Sequence, residues 1–214
     1  MKRIINILII IVLYVVFCGK SCEDDSERIS RQSQQAILAR DSIRKEFETD
    51  FLAEEARCAA EVQAVQKLSD LADYVEVFAD VTLDSLFREK AGEMIREMFV
   101  SEKVRLTFDP ERRELARRMS VDEFLKDGFG KRILWADIRF DSVMILKSPE
   151  KSAQGYYLGK LVASQLLICH TQADSISSLY KVSIDFISSK RKKFFGTDTL
   201  NVWVVSLGDM ETAR

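Results

Sequence analysis

The chain has 214 residues, enough for one domain and an appendage, and 47% of them are apolar, enough to fill a core. Its 34 acids nearly balance 32 bases, and without residues 1–21 the balance is 29 bases (32 − 3: Lys2, Arg3, Lys20) against 34 acids, a net charge of −5. That charge argues against a nucleic-acid binder, which needs a basic face to displace counterions from phosphates, and two prolines and eight glycines argue against long low-complexity regions.

Residues 1–22 read as a targeting segment. Lys2 and Arg3 give a positive start, and Ile4 to Cys18 is apolar apart from Asn6. As a helix that run spans roughly 22 Å, short of a bilayer core of about 30 Å and suited to the apolar region of a signal peptide. Cys22 follows, with Ser21 before it and Glu23, Asp24 and Asp25 after it. This resembles the start of bacterial lipoproteins, which are cut before a cysteine that then carries acyl chains. The resemblance implies lipid attachment at Cys22, although Lys20 departs from the small or apolar residue such signals carry two positions before the cysteine. Cleavage after Ser21 and an uncleaved anchor are the alternatives. All three place the body outside the cytoplasm, in the cell envelope and tethered to or released from a membrane. Residues 23–45 are polar and lack proline and glycine, which suits a stalk. Residues 46–214 form the domain.

Phe47, Phe51, Cys58, Val62, Val65 and Ala72 favour one face of a long helix to about Phe78, with a break near Ser69-Asp70. Thr82 reads as the N-cap of a second helix, in which Leu83, Leu86, Phe87, Ala91, Met94, Ile95, Met98 and Phe99 recur at steps of three and four. On this reading Phe87→Asp or Met94→Asp unfolds the domain. Val104, Leu106 and Phe108 alternate with polar residues as a half-buried strand, and Ser120 with Glu123 forms a capping box opening a short helix that stops at Gly128.

Four strands follow. Leu134, Ala136, Ile138 and Phe140 oppose Trp135, Asp137, Arg139 and Asp141, the run ending near Lys147 before a Ser148-Pro149 loop. The next run from about Tyr156 to His170, from Tyr180 to Phe186, and, after a polar turn at Lys190–Lys193, from Leu200 to Leu207. Short connections make an antiparallel meander and an α+β domain, long N-terminal helices packed on a curved antiparallel sheet. The order, carried by the Ser120–Leu125 cap-and-helix segment and the long strands from Leu134, resembles the NTF2-like (cone-shaped α+β) superfamily over roughly residues 47–210. A cystatin-like fold is the alternative. The NTF2-like resemblance implies a sheet enclosing a pocket and often a homodimer through the sheet.

No cofactor or metal is expected. The single histidine, His170, cannot supply a metal pair, and no phosphate loop or nucleophile elbow is present. Cys58 and Cys169 read as buried free thiols, with a disulfide as the alternative. Trp135, Asp137 and Arg139 share a strand face, either solvated or lining a pocket or interface. Lys190–Lys193 reads as a solvated hairpin tip, or as a contact for acidic head groups or a partner. The sequence thus points to an envelope-tethered binding or scaffold protein, with an envelope protein or a second copy as partner. A small-molecule-binding protein or enzyme using an NTF2-like pocket is the alternative.

Overall fold

A computed structural model describes residues 34, 38, 51–107, 119–128, 133–195 and 198–213. The contacts divide the chain into two units, Met1–Thr49 and Asp50–Arg214, and the helices and strands that build the core all belong to the second. The expected targeting segment with Cys22, the stalk apart from Gln34 and Leu38, and Phe108 lie outside the described residues.

Helix α1 spans Glu54–Ala79, with Glu54 and Glu55 in the first turn, where carboxylates complement the helix dipole. It buries Ala60, Ala64, Leu68, Leu71 and Val75 and runs unbroken through Ser69-Asp70. The larger apolar residues expected on that face are instead outside: Phe51 is 65% exposed and Val62 70%. The inward line starts with two alanines, whose small side chains bring helix and sheet close, so bulk alone pointed to the wrong side. Cys58 is exposed and Cys169 fully buried, and no disulfide joins them, which corrects the expected burial of Cys58. A thiol reagent added to the folded protein should therefore modify Cys58 within minutes and Cys169 only on unfolding, as peptide mass mapping would show.

Helix α2 spans Ser85–Met98 and is capped by Asp84, whose carboxylate accepts Leu86 N–H at 2.8 Å. Thr82 is not the cap. Its N–H and hydroxyl both donate to Asp80 Oδ1, at 2.8 and 2.7 Å, making a turn before the helix. Ala91, Gly92, Ile95 and Met98 are buried, whereas Phe87 at the helix start is 67% exposed. Phe87 is therefore no core residue.

Strand β1 is only Arg105–Leu106 and pairs antiparallel with β2, Met119–Ser120. Helix α3, Val121–Asp127, carries the expected capping box. Glu123 N–H donates to Ser120 Oγ at 3.2 Å and Ser120 N–H to Glu123 Oε2 at 2.8 Å, and the helix ends at Gly128 with φ of 57°. Four long strands form an antiparallel meander in chain order: β3 Ile133–Lys151, β4 Tyr157–Thr171, β5 Ser175–Phe195 and β6 Asp198–Thr212. Ser148 and Pro149 lie in β3, not in a loop. Its position at the edge of the sheet tolerates a residue without N–H, and the reversal comes later, at Ser152–Tyr156, with Gly155 at φ of 87°. Nor is Lys190–Lys193 a turn: these residues lie in β5, paired with Trp203 to Leu200 of β6.

The core lies between the helices and one sheet face. There Leu68, Leu71, Val75 and Ile95 meet Ile138, Leu161, Leu167, Val182, Ile184, Phe186 and Leu207. A polar pair interrupts that inner face, where Gln165 Nε2 donates to Tyr180 Oη at 2.8 Å. The architecture is α+β, helices on a four-stranded antiparallel sheet, in the element order the NTF2-like resemblance implies. A single helix wrapped by a meander leaves α2 unaccounted for.

Candidate functional site

Because successive strand residues face opposite ways, the inward positions of Ala136, Ile138, Leu161 and Ile184 fix what the outer face carries. Trp135, Asp137 and Arg139 share that face, as the alternation implied. The register sets them in cross-strand rows: Trp135 beside His170 and Ser175, Asp137 beside Ile168 and Ser177, Arg139 beside Leu166 and Leu179.

In the first row the Trp135 and His170 rings lie 4.6 Å apart at 35°, and Ser175 Oγ is 2.7 Å from His170 Nδ1, which fixes the imidazole. A nucleophilic pair would also need a carboxylate orienting the imidazole, but neighbouring Asp174 accepts Ser175 N–H at 2.7 Å instead. In the second row Asp137 is only 6% exposed, and Arg139 Nε and Nη2 reach its Oδ2 at 2.9 and 2.8 Å. The guanidinium stays in solvent and neutralises a carboxylate that could not be buried alone. Toward the middle of the face apolar rows alternate with polar ones, the row of Asp141, Ser164 and Lys181 lying between those of Leu179 and Met144. Leu179 is 70% and Met144 62% exposed, beside half-buried Val162, Leu166, Ile168 and Ile187. One ion pair, Lys160 Nζ to Asp185 Oδ1 at 2.8 Å, sits among them.

A cleft of about 510 Å³ runs between α1 and β3, its polar lining made of Ser69, Asp73, Glu76, Asp137, Arg139 and Asp141. No group of three metal-ligating side chains occurs among the described residues. Elsewhere on α1, burial pushes the Lys67 ammonium below its ordinary 10.5, Asp70 opposing and Arg191 and Lys193 adding to the fall. Between its folded pKa and 10.5 the unfolded chain binds more protons at Lys67, so stability rises with pH across that interval. Lys67→Met should therefore stabilise the domain near pH 7 by about 0.5 kcal/mol, the scale of a partly solvated charge. The gain should fade in melts taken toward pH 10.5.

Sequence reasoning identified Trp135, Asp137 and Arg139 but missed Ser175 and the acids of α1. Only the strand register and the packing of α1 bring those groups near, and no local motif signals them. Cys22 lies outside the described residues.

The fold and this surface define an α+β domain with helices on one side of an antiparallel sheet. No protein-family model matches the chain, and no curated protein matches it in sequence. Among solved structures it is similar to a protein described as "Putative Scytalone Dehydratase" from Novosphingobium aromaticivorans, at 12% identity, 74% coverage of this chain, 87% of that one, and a TM-score of 0.40. A likeness of that size carries no conclusion about activity.

Proposed function

We propose that the protein is an envelope-tethered, non-enzymatic binding or scaffold protein. Its N-terminus is held at a membrane by acyl chains on Cys22, and the outer sheet face is its contact surface. The observation that carries this reading is the division of the sheet: the inner face is filled by the domain's own side chains, and the outer face exposes Leu179 and Met144 among further apolar residues. Exposed apolar rows on one sheet face support an interaction site there. A second copy of the chain is the occupant, because Lys160 and Asp185 offer both signs of charge that a two-fold axis exchanges between copies. Sedimentation of the full chain in detergent tests this. A dimer is expected, converted to monomer by Leu179→Glu with Met144→Glu. A monomeric parent, or a dimer indifferent to both changes, sinks the reading of this face.

The cleft beside α1 favours a second reading, a small-molecule-binding protein, since Asp73, Glu76 and Asp141 line space for an organic cation beside the Asp137–Arg139 pair. Ser69→Trp would fill that space. Melting-point rises with organic amines, lost in Ser69→Trp, would establish this reading over the first.

A further inference from the structure

Beyond the dimer surface, the molecule carries a second exposed feature. β4 begins at Tyr157, paired with Ser188, so among the described residues β5 from Ser189 onward pairs with β6 alone. Residues 189–195 and 198–204 therefore form a two-stranded ribbon that outruns the sheet. Four consecutive cations lie on it, Lys190, Arg191, Lys192 and Lys193, followed by Phe194, which is 80% exposed. Strand alternation puts Lys190, Lys192 and Phe194 on one side and Arg191 and Lys193 on the other. Lys190 Nζ lies 5.6 Å from the centre of the Trp203 ring, and Arg191 Nη2 donates to Ser206 Oγ at 3.1 Å. The paired residues on β6 are uncharged: Trp203, Val202, Asn201 and Leu200. A body with an excess of acids thus carries four consecutive cations on this one element. The same positive field reaches Lys67.

We infer that this ribbon docks on an anionic lipid surface, its cations meeting phosphate head groups and Phe194 entering the interface beside them. Charge complementarity carries the assignment, since juxtamembrane cations are drawn to anionic leaflets. An exposed aromatic next to them adds apolar contact at head-group depth. The inference rests on the proposed tether only for bringing the ribbon near a membrane.

The test uses the full chain carrying Trp135→Phe, which leaves Trp203 as the reporter on the ribbon, reconstituted in vesicles with bromine-labelled acyl chains. Flotation with phosphatidylcholine vesicles reports the tether, and quenching of Trp203 reports the ribbon. Quenching should appear when phosphatidylglycerol is added, fall at high salt, and be lost in Lys192→Glu with Lys193→Glu. At about fivefold per cation, that pair should weaken the phosphatidylglycerol-dependent association at least about 25-fold. Phe194→Ser should keep the salt-sensitive association and lose most of the quenching. Unchanged melting curves for these surface variants establish that folding is intact. Quenching equal in both lipids, or absent with phosphatidylglycerol, overturns the inference. A chain that fails to float with phosphatidylcholine contradicts the tether instead.

Discussion

Replacing Gly159 by alanine is expected to destabilise the domain by about 3 kcal/mol, the upper range for overpacking a filled core. Gly159 lies opposite Phe186 on the inner sheet face, and a Cβ there would stand 2.2 Å from Phe186 Cζ. Phe186 is fully buried, so its ring cannot swing away without displacing its neighbours. The glycine is thus needed for space under the ring. Phe186→Leu removes the atoms that clash, so in a double-mutant cycle it should recover at least about 1 kcal/mol of the alanine's cost. Urea denaturation of the two single variants and the double would measure this. A change below about 0.5 kcal/mol for Gly159→Ala would mean that β4 and β5 are paired in another register.

The second large effect separates two positions of one helix. Ile95 is 0% exposed and faces the core from α2, so Ile95→Asp buries a charge without a partner. That should cost more than about 4 kcal/mol and leave no cooperative thermal transition. Phe87, two turns earlier, is 67% exposed, and Phe87→Asp should change stability by less than about 0.5 kcal/mol. Circular dichroism melts of both variants give the comparison. Unfolding by Phe87→Asp would restore the expectation from periodicity alone and contradict the packing of α2.

That contrast shows what periodicity reveals. Phe87 falls in line with Ala91, Ile95 and Met98, but the spacing says only that a face is apolar, not how far its cover extends. In α1 the same rule chose Val62 and Val65 over Ala60 and Ala64, because alanine adds little to an apolar pattern yet permits the closest approach. Local chemistry was legible where it is complete within a few residues. The Ser120–Glu123 box and the alternation of β3 and β4 needed no distant partner. Lys190–Lys193 and Pro149 read as turns because charge and proline usually end strands. A ribbon paired on one side and an edge strand accept both. The Trp135, Asp137 and Arg139 face was readable from alternation. The companions His170 and Ser175 depended on strand register, which no local signal sets.

The proposed tether is tested most directly by the intact mass of the protein extracted from membranes, beside a Cys22→Ala version. A chain beginning at Cys22, heavier by a diacylglyceryl group and a fatty acid and unmodified in the variant, is the expected result. A full-length, unmodified chain would contradict it.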